Sequence, residues 1–166
     1  MDSNILNQKL LLETFEYKEG HLYWKYDLGS AKKGTKAGSI RKDGYWRVGF
    51  KGKAPTAHRI IFLYHHGYLP KNIDHINGIK TDNHIENLRA ATNSQNQCNA
   101  KINTKNKSGI KGVCWNKNTK KWRVYLYING KFTEFGYYFD INIAKFVANT
   151  MRYKYHGEFA NHGYQI

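Results

Sequence analysis

The dipeptide Asn129-Gly130 lies between two runs of alternating residues, and it limits the fold more tightly than any other pair in the chain. The favoured two-residue hairpin needs positive φ at both central positions, which asparagine and glycine tolerate, so the pair predicts an antiparallel hairpin. In the strand before it, Val124, Leu126 and Ile128 alternate with Arg123, Tyr125 and Tyr127, which gives one apolar face and one cationic, aromatic face. A second turn signal, Asp43-Gly44, and glycines between "GHLYWKY", "KAGSI" and "GYWRVGFKGK" predict a further set of short antiparallel strands closed by Pro55. Helical patterns surround them. Leu6, Leu10 and Leu11 mark a helix over residues 4–15 with Ser3 as cap, and "TAHRIIFLYHHG" reads as a helix between Thr56 and Gly67. Thr92-x-x-Gln95 has the form of a capping box, which starts a helix at Asn93 that runs to about Lys101. Asp140 caps "INIAKFVANTMRYKY", whose Ile143, Phe146, Val147 and Met151 form a stripe to cover the sheet. The fold class is α+β.

Charge narrows the function. The formal net charge is +15, a field that favours a polyanion, with nucleic acid ahead of an anionic membrane surface. The longest strongly apolar run, "IIFLY", is far short of a membrane span, and "MDSNILNQ" lacks the basic and apolar blocks of a signal peptide. Two cysteines, Cys98 and Cys114, exclude a disulfide framework and a CxxC zinc site, and they fit a reducing, cytoplasmic location. The positive charge is densest from Lys101 to Lys131, where nine Lys or Arg occur with no Asp or Glu.

Just upstream lies "NIDHINGIKTDNHIENLRAATNSQN", residues 72–96, crowded with oxygen and imidazole side chains. It reads as a strand, a loop at Asn77-Gly78 and a return segment, followed by the capped helix, with Asp74 and His75 on one side and Asn96 on the helix facing them. A carboxylate and an amide oxygen so placed can hold one hard divalent cation, with water and phosphate completing its shell. An imidazole beside that cation is the usual general base near neutral pH.

At these residues the chain resembles the HNH nucleases, most closely the phage-type branch found among homing and free-standing endonucleases. The pattern is Asp74-His75, then Asn87-Leu88, then Asn96, with "AHR" at 57–59 and "ATNSQN" around these anchors. The resemblance implies a beta-beta-alpha-metal site in which His75 is the general base, Asp74 and Asn96 are the metal ligands, and Asn87 holds the hairpin in shape. It also implies a phosphodiester hydrolase that leaves 5′-phosphate and 3′-hydroxyl ends. Asparagine as the last ligand, where other branches use histidine, favours Mg2+ or Mn2+. His84, in the same loop, is a candidate for contact with substrate or the metal's surroundings.

The C-terminal segment resembles the plant ethylene-response-factor DNA-binding domain at Gly112-Val113, Trp122, Gly136, Phe139, Ala144, Ala148, Tyr155, Gly157 and Asn161. That resemblance implies a small three-stranded antiparallel sheet packed on one helix, with the exposed strand face toward DNA. The plant domain's base-reading residues are largely not reproduced, so its target preference does not carry over. Candidate DNA contacts are Lys111, Lys121, Arg123, Tyr125 and Tyr127 here, Lys105 and Lys107 in the basic segment before it, and Arg47, Lys51 and Lys53 in the N-terminal sheet, with phosphate positioning ahead of base readout. The expected organisation is a nuclease domain over residues 1–101, a basic linker over 102–109 and a DNA-binding domain over 110–166. Double-stranded DNA is the expected partner, with no membrane and no small-molecule substrate; no heptad run is visible, so a monomer is expected. Two other readings remain open on sequence, a non-catalytic transcription regulator and an RNA-binding or RNA-cleaving protein.

Overall fold

Asn7 opens the first helix, α1 (Gln8–Thr14), by accepting from the Leu10 amide. The computed structural model describes residues 6–163, so the Ser3 cap and the start of that helix at residue 4 lie outside the described residues. Periodicity alone carries the helix to residue 15, yet Phe15 is extended and begins β1 (Phe15–Lys18), antiparallel to β2 (His21–Trp24). Burial accounts for the switch. The Phe15 ring is wholly buried, 4.7 Å from Trp24 and 5.4 Å from Phe50 between centroids, contacts that its extended backbone allows.

A second two-stranded ladder, β3 (Ser39–Ile40) with β4 (Trp46–Arg47), is shorter than the apolar pattern suggests. After Arg47 the chain leaves it for a tight turn in which Lys51 and Gly52 both take positive φ. Helix α2 (Ala57–His66) buries Ala57, Ile60, Ile61 and Leu63, and Gly67 ends it at φ 74°, a left-handed conformation in which glycine costs little. Thr56 stands at the N-cap but makes no capping bond. Strand β5 (Asn72–His75) then pairs with β6 (Leu88–Ala91).

The chain divides into two compact units, Met1–Ala90 and Ala91–Ile166. The first has its core between α2, the strands that carry Phe15, Leu22 and Trp24, and the segment after β4 that carries Val48 and Phe50. The boundary falls ahead of α3 (Asn93–Asn99), where sequence places it after residue 101. The reason is bonding within the second unit: Asn161 donates to the Asn99 carbonyl at 2.9 Å, and Lys111 donates to the Cys98 carbonyl at 2.7 Å. The expected linker is likewise built in, because the Asn106 side chain accepts from the Ser108 and Gly109 amides and donates to the Ile110 carbonyl.

The second unit has the capping box at its start, with Thr92 accepting from the Gln95 amide and Gln95 accepting from the Thr92 amide. Its sheet runs β7 (Val113–Asn116), β8 (Lys121–Ile128) and β9 (Lys131–Tyr138), all antiparallel, and Asn129 and Gly130 turn between the last two at φ 51° and 78°. Helix α4 (Ile141–His156) is capped by Asp140, which accepts from the Asn142 and Ile143 amides. The face it lays on the sheet is not the expected stripe: Ile143 and Phe146 are 54% and 71% exposed, and Ala144, Ala148 and Arg152 are buried instead, with Val147 beside them. Small side chains let the helix approach closely, and hydropathy patterns give alanine little weight. No described helix is long and apolar enough to cross a membrane.

Candidate functional site

In the first unit β5 ends in two buried polar residues, Asp74 and His75. Asp74 is held by its strand neighbour, because Arg89 donates to Asp74 Oδ2 from Nε at 2.9 Å and approaches it with a second guanidinium nitrogen at 2.8 Å. With its partner only slightly more exposed, the carboxylate stays compatible with burial.

His75 is fixed from the loop. Its Nε2 lies 3.2 Å from Asn83 Oδ1, an oxygen that can only accept, so Nε2 carries the proton in the neutral ring and Nδ1 the lone pair. Asn83 is 1% exposed and is itself anchored by donating to the Thr81 carbonyl at 3.3 Å. Burial lowers the His75 pKa against the opposing effects of the Asn83 hydrogen bond and the Asp74 charge. His58 of α2 stands edge-on to His75, with centroids 5.0 Å apart, and burial first and His75 second drive its pKa down to about 3. The Tyr45 ring completes the wall, 5.4 Å from His58 and 6.2 Å from His75, with the Lys80 ammonium 4.6 Å above it.

The loop between the two strands is tied by Asn87. Its Oδ1 accepts from the Asn77 amide at 3.0 Å, and its Nδ2 donates to Asn77 Oδ1 at 3.0 Å and to the Asp82 carbonyl at 2.8 Å. The Asn87 carbonyl accepts from the Ile76 amide at 2.9 Å. One amide thus closes a ten-residue excursion from both ends. His84, exposed, points its Nδ1 at Asp82 Oδ1 at 2.6 Å.

Asn96 stands on α3 in the second unit, and its side-chain oxygen is shielded from solvent with no hydrogen-bond partner. A buried acceptor in that condition fits a cation as donor substitute. Asp74 in the first unit and Asn96 in the second each carry an oxygen of the type that hard cations take. Among the described residues no three or more His, Cys, Asp and Glu side chains form a metal cluster.

The candidate DNA contacts divide by exposure. Lys51, Lys53, Lys105, Lys107 and Tyr127 are exposed. Arg47 pairs with Asp43 at 2.8 Å, and Lys121 sits 4.4 Å above the Phe139 ring. On the strand face Tyr125 stacks on Phe132 at 5.3 Å, and the Arg123 guanidinium lies 5.5 Å from both rings. Lys111 departs from expectation, because its ammonium is turned onto the Cys98 and Ala100 carbonyls rather than outward. Neither Asn83 nor His58 is singled out by the sequence pattern. Asn83 is one asparagine among several in a polar stretch, and only the fold reveals which of them meets the imidazole.

A model of the HNH endonuclease family matches residues 56–98, a segment that contains α2, β5, β6 and all but the last residue of α3. The chain is 34% identical over 110 residues to Protein 3.8 of Escherichia phage T7, covering 65% of this chain and 90% of that protein. No solved structure matches.

Proposed function

The chain belongs to the same family as phage T7 Protein 3.8 and carries an HNH endonuclease domain, and on that premise we propose that it is a metal-dependent DNA endonuclease that hydrolyses phosphodiester bonds in duplex DNA at preferred sites. The observation that carries the reading is His75, a buried imidazole whose tautomer is set by Asn83, next in sequence to the Arg89-bound carboxylate of Asp74 within the matched segment.

His75 is the general base, taking a proton at Nδ1 from a water in line with the scissile phosphorus. Its lowered pKa keeps the ring neutral at physiological pH, so the lone pair is present before substrate arrives. Asn83 is a positioning residue that presents the correct nitrogen. Asn87 keeps the loop between the two strands in register. Asp74 and Asn96 would hold one Mg2+ or Mn2+, which when bound supplies stabilisation of negative charge at the phosphoryl and leaving oxygens. To His84, exposed on the same loop, we assign a substrate contact.

DNA is held by charge and by the second unit's strand face. We assign phosphate contacts to Lys51, Lys53, Lys105, Lys107 and Lys121, with Arg47 beside them, and groove contacts to Arg123, Tyr125 and Tyr127 on the three-stranded sheet of the second unit. Lys111 is left out of the strand-face contacts, since its ammonium is turned inward onto carbonyls of its own unit. The protein acts as a monomer in the cytoplasm, on this reading, and one site cuts one strand at a time. The test is conversion of supercoiled plasmid by purified protein with Mg2+, with Mn2+ and with EDTA. Nicked product that requires the metal supports the reading, and intact plasmid under every condition, source DNA included, removes it.

A further inference from the structure

The second unit contains a cavity of about 360 Å3 that the nuclease reading does not use. Its lining brings together Lys101, Lys111, Arg152 and His156, and no Asp or Glu is among the residues around it. The fold gathers these cations for local reasons. Lys111 donates to the carbonyls of Cys98 at 2.7 Å and Ala100 at 2.5 Å at the end of α3. Arg152, fully buried on α4, donates to the Lys111 carbonyl and to Asn149 Oδ1. His156 donates from Nε2 to the Tyr127 carbonyl at 3.1 Å, while its Nδ1 is buried with no hydrogen-bond partner.

Carbonyl oxygens satisfy the geometry of these donors but bring no negative charge. The mismatch bears on ionisation, since burial first and Arg152 second push the Lys111 pKa down to about 8, and burial lowers that of His156. An anion entering the cavity would reverse both effects and give the buried His156 Nδ1 a partner, because protonation turns it into a donor. The apolar side chains of Ile102 and Leu126 also line the space, beside the amides of Gln97 and Asn103. A cavity of this volume, with a cationic side, an apolar side and a few amides, matches a small organic phosphate better than a bare ion.

We propose that this cavity of the second unit binds one nucleotide through its 5′-phosphate, with the phosphate among Lys101, Lys111 and His156 and the nucleoside against Ile102 and Leu126. The nucleotide is either a free monophosphate or the 5′-phosphorylated end of a DNA strand.

The test is an NMR titration of the full chain in EDTA, so that cleavage plays no part, with thymidine 5′-monophosphate, with inorganic phosphate, and with short duplexes that differ only in a 5′-phosphate or a 5′-hydroxyl end. Saturable shifts at the lining amides with the monophosphate, together with a rise in the Lys111 ammonium pKa, are expected. If the phosphorylated duplex shifts the same amides and its 5′-hydroxyl counterpart does not, a DNA end is the occupant; if the duplexes behave alike while the monophosphate binds, the occupant is a free nucleotide. Lys111→Met risks the fold, so the variant of choice is the exposed Lys101→Glu, which should weaken the monophosphate about tenfold. No saturable shift from either the monophosphate or the phosphorylated duplex, inorganic phosphate that binds as well as the nucleotide, or affinity unchanged in Lys101→Glu, would each overturn the proposal.

Discussion

His75 and Asn83 show how one buried hydrogen bond decides the chemistry of a ring. An acceptor-only oxygen at Nε2 leaves the lone pair on Nδ1, and an aspartate at position 83 would keep that arrangement while a leucine would not. Asn83→Asp should therefore retain cleavage and Asn83→Leu lose about a hundredfold in single-turnover rate, with ring-nitrogen NMR reporting a mixed tautomer only in the leucine variant. His58 makes a separate prediction about stability. Its pKa is about 3 in the fold against 6.5 for the ordinary imidazole, so between those values the unfolded chain binds one more proton than the folded one. Stability is then fully present above pH 6.5 and falls as the pH drops, by about 1.4 kcal/mol per pH unit from this group alone. Urea midpoints measured at successive pH values below neutrality check the slope, and His58→Phe should flatten it. Neither residue was legible in the sequence as part of the site. Asp74, His75 and Asn87 were singled out as candidates, because their spacing is carried by a family pattern, whereas the partners of a buried imidazole are set by which strand and helix it packs between.

The elements that could be read from sequence are those with local causes. The Thr92 capping box, the Asn129-Gly130 turn, the Asp140 cap and the Gly67 stop each depend on a few adjacent residues, and all four appear with the expected chemistry, whereas the Thr56 side chain makes no capping bond. What escaped depends on contacts distant in sequence. Phe15 becomes a strand residue because Trp24 and Phe50 surround it, and α4 presents alanines to the sheet because a close approach leaves no room for Ile143 or Phe146. The same close packing makes Gly112 sensitive. Its φ is +76°, and an added Cβ would lie 2.7 Å from the Tyr125 carbonyl oxygen and 3.3 Å from the Arg152 guanidinium. Gly112→Ala should destabilise the second unit by about 2 kcal/mol or more, read as a lower thermal midpoint. Thr92→Ala should cost about 1 kcal/mol and show first as faster amide exchange over Asn93–Asn99.

A net charge of +15 on 166 residues gives the whole molecule a field suited to a polyanion, and the acid-free run from Lys101 to Lys131 places much of it in the second unit. Duplex affinity should fall about a thousandfold or more between roughly 50 and 200 mM salt if six or more phosphates are neutralised. Lys105→Gln and Lys107→Gln should each reduce the salt slope by about one while leaving sequence preference unchanged. The linker region that carries these lysines is held by Asn106 and Ser108, so its charges are presented on an ordered loop rather than a flexible tether. Binding and cutting are thus assigned to different residues, and a single substitution can separate them. The measurement that does so most directly is His75→Ala beside the wild type in a single-turnover assay on bound duplex DNA with Mg2+. Loss of about a hundredfold or more in cleavage with unchanged duplex affinity is the predicted result, and cleavage at the wild-type rate by His75→Ala would contradict the assignment of this site.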